Sequence, residues 1–179
     1  SVTAATGMDA LTHAIEAYIS VNASQETDAY ALAATRLIME NLLKVMKDGS
    51  NITARQNMSQ ASFYAGLALS KASLGYVHAI SHNFGAYYGT PHGIGNAIVL
   101  PYVLEFSKVA AASRLAELAE VSGLKKTNET DNELANKFIE HIKNKDKTLA
   151  LNQQFIFNMS KATNEHLLRI EKEIEDMLS

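Results

Sequence analysis

Residues 75–97 read GYVHAISHNFGAYYGTPHGIGNA and hold two histidines four residues apart, a Gly-Thr-Pro turn and a third histidine. Glycine and proline are the residues that most often end helices and form turns, so we predict a helix over Tyr76–Tyr88 and a turn after it. Side chains four residues apart lie on one helix face, so His78 and His82 share a face. The turn can bring His92 back beside that helix.

The rest of the chain also has a helical pattern. Its 179 residues include only two prolines and nine glycines, and strand-like alternation is scarce. We therefore predict an all-α fold, organised as a single domain over residues 1–179. Thr6 and Asp9 are expected to cap the first helix, and Pro101 to kink the fifth. The predicted helices, in order, are Gly7–Ile19, Glu26–Met46, Ile52–Ala72, Tyr76–Tyr88, Ile94–Phe106, Val109–Val121, Asn132–Lys145 and His166–Leu178.

Composition excludes several classes of function. Lys and Arg total 16 against 19 Asp and Glu, a net charge of -3, so there is no basic surplus for nucleic acid. The absence of cysteine excludes disulfides, thiolate metal sites and cysteine nucleophiles, and fits a reducing, cytoplasmic location. The longest apolar run, Ala97–Leu104, is far shorter than the about 20 residues of a membrane span. The first residues show no signal peptide and no initiator Met, so we expect a piece of a longer chain.

A second pair of candidate metal ligands lies near the N-terminus. Asp9 and His13 are four residues apart, so one cation can bridge them. Together with the histidines of residues 78–92 they form a set of imidazole and carboxylate groups without sulfur, which suits Fe(II), Zn(II), Co(II) or Mn(II). The spacing alone leaves open whether His78 or His82 is the ligand. It also leaves open that Asp9 only caps its helix and that His13 is a hydrogen-bonded core residue.

Other motifs with known chemistry are missing or incomplete. The chain has no Glu-x-x-His pair of the di-iron type and no His-Glu-x-x-His of the zincin proteases. Gly93 and Gly95 begin a dinucleotide fingerprint, but its third glycine would fall at Ile98 and no strand precedes it. The remaining histidines, His141 and His166, are predicted to lie on solvated helix faces.

Residues 7–18, GMDALTHAIEAY, and residues 75–97 resemble the two metal-binding signatures of the iron-containing (group III) alcohol dehydrogenases. The resemblance covers residues 1 to about 123 and fades beyond them, and Asn83 stands where many members have Pro. It implies a multi-helix C-terminal domain of the dehydroquinate synthase-like fold. It also implies an N-terminal α/β nucleotide-binding domain, which is expected to be absent from this chain.

The same resemblance implies a role for each candidate residue. Metal ligands are expected at Asp9, His13, His78 and His92. His82 is expected to be the catalytic histidine, off the metal and facing the nicotinamide or substrate as a proton relay. The implied cofactors are Fe(II), with Zn(II) as the alternative, and NAD(P) bound through the missing domain.

The implied function is that of the metal-binding half of an NAD(P)-dependent alcohol dehydrogenase. Such an enzyme interconverts a primary or secondary alcohol and its aldehyde or ketone by hydride transfer at a divalent metal. We expect the fragment alone to be inactive, its substrate to be a small alcohol or aldehyde, and a homodimer to be one candidate assembly. Two alternatives stay open: a zinc-dependent relative of glycerol dehydrogenase, and a non-catalytic helical module with a structural histidine cluster.

Overall fold

The computed structural model describes residues 2–148, and all of the secondary structure in that range is helical. The predicted all-α fold class is therefore confirmed. The predicted helix His166–Leu178 lies outside the described residues. The six described helices are α1 (Val2–Ile19), α2 (Gln25–Lys47), α3 (Ile52–Ala72), α4 (Tyr76–Tyr88), α5 (His92–Val121) and α6 (Asp131–Thr148).

Helix α1 is the central element of the fold. It packs against α2, α3 and α5, while α4 and α6 pack on α5. Its Met8, Leu11, Ile15 and Tyr18 side chains are all completely or almost completely buried. Buried apolar side chains on several faces are typical of a helix surrounded by others. The arrangement places α1, α4 and α5, which carry the candidate ligands, next to one another.

Helices α1 and α5 approach each other closely at Gly93. A Cβ atom at this position would lie 2.2 Å from the carbonyl oxygen of Ala5, so no larger side chain fits without moving a backbone. His92 directly precedes Gly93, and Asp9 lies about one turn beyond Ala5 on α1. The glycine contact therefore brings His92 and Asp9 together.

The turn between α4 and α5 has the predicted position. Gly89 ends α4 in the left-handed conformation, with φ 60° and ψ 23°, and its amide donates to the carbonyl of Gly85. Glycine adopts this conformation without steric cost, which is why it is common at helix C-termini. Pro91 then precedes the first residue of α5. The turn is short enough to hold His92 beside α4.

The predicted cap of the first helix is wrong, and the break between the fifth and sixth predicted helices lies at a slightly different residue. The first helix begins at Val2, so Thr6 and Asp9 form no capping box; the Thr6 hydroxyl instead donates to the carbonyl of Val2 within the helix. The fifth and sixth predicted helices lie in one element, α5, whose two helical parts meet at a kink. Its non-helical residue is Ala111, with φ -120° and ψ 16°. Because Asp9 is not needed as a cap, its carboxylate is available to the site.

Helix α5 also anchors the C-terminal end of α1. Arg114 donates from Nε to the carbonyl of Tyr18 at 2.9 Å and from Nη1 to the carboxylate of Asp28 at 2.9 Å. Its guanidinium lies over the Tyr18 ring, 3.8 Å from the ring centre. The last turn of α1 has no basic residue of its own, so α5 supplies the cation that stabilises this helix end.

By length and composition, α5 is also apolar enough to cross a membrane, the one such helix among residues 2–148. However, 56% of its apolar window is buried against other helices. Core helices of soluble proteins have the same property, so this is weak evidence for a membrane span.

Candidate metal centre

The structure brings together four of the five predicted site residues. Asp9 and His13 come from α1, His78 from α4 and His92 from α5, and their ligand atoms all lie within 4.8 Å of one another. The Oδ1 atom of Asp9 lies 3.6 Å from His13 Nε2, 3.7 Å from His78 Nε2 and 3.3 Å from His92 Nε2. Residues distant in sequence therefore form one compact donor set.

This donor set fits a divalent first-row metal ion. Ligand atoms about 2.1 Å from a tetrahedral ion lie roughly 3.4 Å from one another, close to the distances measured from Asp9 Oδ1. One carboxylate and three imidazoles suit iron or zinc. The side chain of His92 is 43% exposed and that of Asp9 23%, whereas that of His78 is 1% exposed. The site is thus closed on the His78 side and open to solvent beside His92.

His82, the fifth predicted residue, lies beside this set without joining it. Its ring centre is 5.8 Å from that of His78 and 5.2 Å from that of His92. The His82 side chain is exposed. The geometry therefore favours His78 over His82 as a ligand, a choice that the spacing of the two histidines left open. The individual roles of the five residues stay predictions.

The sequence reasoning missed Glu16, which contacts the His78 ring at Nδ1, on the side away from the donor set. Its carboxylate is buried and accepts hydrogen bonds from the backbone amides of Val77 (2.6 Å) and Gly75 (3.0 Å). Its Oε2 also lies 2.6 Å from Nδ1 of His78. A signal was present, because Glu16 is three residues after His13 and seven after Asp9, on the same face of α1.

Asn96 is a second polar residue of the site that the sequence reasoning missed. Its completely buried amide donates from Nδ2 to Asp9 Oδ1 at 2.7 Å. The same nitrogen lies 2.9 Å from His78 Nε2 and 3.1 Å from His92 Nε2. The hydroxyl of Ser81 donates to the Asn96 carbonyl oxygen. Asn96 follows His92 by four residues, so the spacing rule used for the histidines would have found it.

The two carboxylates change the protonation of the neighbouring rings. Burial alone would lower the pKa of His78, but the nearby carboxylate of Asp9 and the Glu16 carboxylate at Nδ1 outweigh it and raise the pKa to about 9. Burial would raise the pKa of Asp9, but His78, His13 and Asn96 together lower it. Burial lowers the pKa of His13 against the opposing charge of Asp9. In the metal-free chain, a proton on His78 therefore competes with a metal ion for Nε2.

We expect the metal-free chain to lose stability as the pH rises from 6.5 to above 9. The pKa of His78 in the fold, about 9, lies above its ordinary value of 6.5. Its protonated form therefore stabilises the fold fully below pH 6.5, and this contribution is lost as the pH rises through 9. At 1.36 kcal/mol per pKa unit the loss reaches about 3 kcal/mol. Urea unfolding in the presence of a chelator, at pH 6 to 10, measures it.

The matched control for this titration is His78→Gln, which cannot gain or lose a proton. Its stability should vary much less over the same pH range. A wild-type free energy of unfolding that stays flat between pH 6.5 and 9.5 would contradict the expected coupling between His78 and its two carboxylates.

One carboxylate and three imidazoles at a half-open surface form a donor set that could hold a metal ion. A sequence model of the Fe-containing alcohol dehydrogenase family, C-terminal region, matches residues 3–167. The chain belongs to this family. The match extends past about residue 123, where the resemblance of the sequence alone faded.

Curated relatives and solved structures agree with this membership. The chain is 51% identical to 1,3-propanediol dehydrogenase of Klebsiella pneumoniae over 123 residues, which is 69% of this chain and 32% of the relative. It is 46% identical to NAD-dependent methanol dehydrogenase of Bacillus methanolicus over 122 residues, 68% of this chain and 31% of the relative. This chain thus spans about a third of the length of these relatives.

The solved structures show the same fold. A crystal structure of 1,3-propanediol oxidoreductase is 46% identical with a TM-score of 0.79, covering 80% of this chain and 38% of that one. An alcohol dehydrogenase from Oenococcus oeni is 39% identical with a TM-score of 0.79, covering 81% of this chain and 38% of that one. The predicted multi-helix fold of the iron-containing alcohol dehydrogenases is therefore confirmed.

Proposed function

We propose that this chain is the metal-binding half of an NAD(P)-dependent alcohol dehydrogenase. The observation that carries the proposal is the convergence of Asp9, His13, His78 and His92 from three helices within 4.8 Å. Membership of the Fe-containing family supports Fe(II) as the ion, and the same donor set would accept Zn(II). A relative whose name describes it as NAD-dependent supports the nicotinamide cofactor.

The four side chains would hold the ion and leave its exposed side, beside His92, to the substrate oxygen. The ion would lower the pKa of an alcohol oxygen as a Lewis acid, while the nicotinamide would exchange a hydride with the alcohol carbon. Asp9 supplies the single negative charge of the donor set. His82 is exposed and adjacent to His78 and His92, a position from which its ring can take up or release the proton of the alcohol.

The proposal assigns metal binding and NAD(P) binding to two different domains. Residues 1–179 would form one metal-binding domain, and a separate N-terminal α/β domain would bind NAD(P). The substrate would be a small alcohol or the corresponding aldehyde or ketone. We therefore expect the 179-residue chain alone to bind metal and to show no dehydrogenase turnover.

A chimera tests the proposed activity. The 123-residue stretch of this chain that matches the 1,3-propanediol dehydrogenase of Klebsiella pneumoniae would replace its counterpart in that enzyme. With Fe(II), the chimera should oxidise 1,3-propanediol or another small primary alcohol with NAD⁺ or NADP⁺, followed by absorbance of the reduced nicotinamide. The matched control carries His92→Ala and should lose bound metal and activity together.

Three results would contradict the proposal. A folded, metal-loaded chimera without turnover of any small alcohol would favour a non-catalytic module. Activity with Zn(II) but not with Fe(II) would show that the ion is zinc and contradict the proposed iron. Turnover by the isolated 179-residue chain would overturn the expected need for a second domain.

A further inference from the structure

We propose that Glu16 is the positioning residue of the metal centre: it holds His78 by Nδ1 so that Nε2 faces the ion. This inference rests on the proposed function, since it assigns a task toward the same metal. It concerns a residue of α1 that touches neither the ion nor the substrate, and so acts through His78.

The contacts of Glu16 carry the proposal. Its side chain is 2% exposed, and a carboxylate so deeply buried is costly unless it is well hydrogen-bonded. Here Oε1 accepts from the amide of Val77, and Oε2 accepts from the amide of Gly75 and lies 2.6 Å from His78 Nδ1. Because Glu16 can only accept hydrogen bonds when ionised, Nδ1 must carry a proton. The lone pair for a metal is then on Nε2.

The same contacts fix where the His78 ring can lie. The start of α4 has no side-chain cap of its own, and the two amides bound by Glu16 belong to this start. Gly75 leaves the room required, because a Cβ atom there would lie 2.7 Å from Glu16 Oε1. One carboxylate from α1 therefore holds both the backbone before His78 and the ring itself. Such carboxylate–histidine pairs orient the ring and make it a better ligand.

A purely structural role, capping α4 from another helix, is the alternative explanation. It predicts that loss of Glu16 lowers stability without changing the protonation of the His78 ring. The positioning role predicts a change in metal affinity and in the protonation of the His78 ring. The two explanations therefore require different measurements.

The experiment compares Co(II) binding by the wild-type 179-residue chain with that of Glu16→Gln, followed by the visible absorption of the bound ion. Glutamine keeps the size but not the charge, and we expect Co(II) to bind about 10- to 100-fold more weakly. Glu16→Asp, which restores the charge, should recover part of the loss. The control, Glu117→Gln on α5, removes a carboxylate that bonds to the Tyr18 hydroxyl and should bind Co(II) like the wild type.

Nitrogen-15 NMR of the Zn(II)-loaded wild type provides the second readout, independent of whether the variant folds. We expect the His78 ring to carry its proton on Nδ1 and to bind Zn(II) through Nε2. The opposite tautomer would overturn the proposal. Equal Co(II) binding by the wild type and Glu16→Gln would overturn it while leaving the metal centre intact. A wild-type chain that binds no Co(II) would overturn both this inference and the proposed function.

Discussion

Replacing His78 by alanine is expected to weaken Co(II) or Zn(II) binding by the chain more than about 100-fold, beyond the loss typical of a residue that only supports a ligand. His78 is the most buried member of the donor set, and it links Asp9 on one side to Glu16 on the other. Its removal takes one imidazole from the ion and leaves Glu16 without its side-chain partner. Calorimetric titration of the 179-residue chain measures the loss.

The matched variant is His82→Ala, on the same helix and on the exposed side of the cluster. Its dissociation constant for the metal should lie within about threefold of the wild-type value, a difference in binding free energy below about 1 kcal/mol. In the chimera it should lower turnover by about 10²- to 10⁴-fold, the usual contribution of a general acid or base, or shift its pH dependence. If His82→Ala empties the site while His78→Ala leaves it filled, the assignment of the two histidines is reversed.

Gly93→Ala is expected to be the most damaging small substitution in the described chain. The added methyl group would lie 2.2 Å from the carbonyl oxygen of Ala5, so α1 and α5 would have to separate. Overpacking against side chains costs typically 1–3 kcal/mol, and a clash with backbone should reach at least about 3 kcal/mol. Metal binding should weaken as well, because the same separation moves His92 away from Asp9. Urea unfolding and Co(II) titration measure the two effects.

Gly66→Ala provides the control for this substitution. Gly66 lies within α3 with no atom within 4 Å of the added methyl group, so alanine should stabilise the chain by roughly 0.5–1 kcal/mol through helix propensity. Gly93→Ala with wild-type stability would show that the two helices separate without cost, contrary to the close contact described above.

Local sequence signals predicted some helices better than others. The bounds of α3 and α4 agree with the structure, because glycine and polar residues end both helices through local backbone preferences. The start of α1 was wrong because Thr6 resembles a cap in sequence, while burial of Ala4 and Met8 extends the helix beyond it. The break predicted between Phe106 and Val109 lies nearby, at Ala111, where the α5 backbone leaves the helical conformation.

The sequence predicted those site residues that occur as pairs on one helix. It missed the residues whose role depends on contacts between helices. Asp9 with His13 and His78 with His82 are visible as pairs four residues apart. Which of His78 and His82 faces the cluster depends on how α4 packs, and the sequence cannot show that. Glu16 and Asn96 were overlooked because a glutamate and an asparagine on a helix are usually solvated. Their importance depends on burial against partners distant in sequence.

The distribution of the donor atoms over α1, α4 and α5 has a consequence for the lifetime of the protein. An ion held by all three helices would be a reversible cross-link, and unfolding would have to release it. At a free metal concentration of 100 times the dissociation constant, this linkage adds about 2.7 kcal/mol to the free energy of unfolding. Resistance to proteases would then depend on the free metal concentration, and metal depletion would shorten the lifetime of the chain.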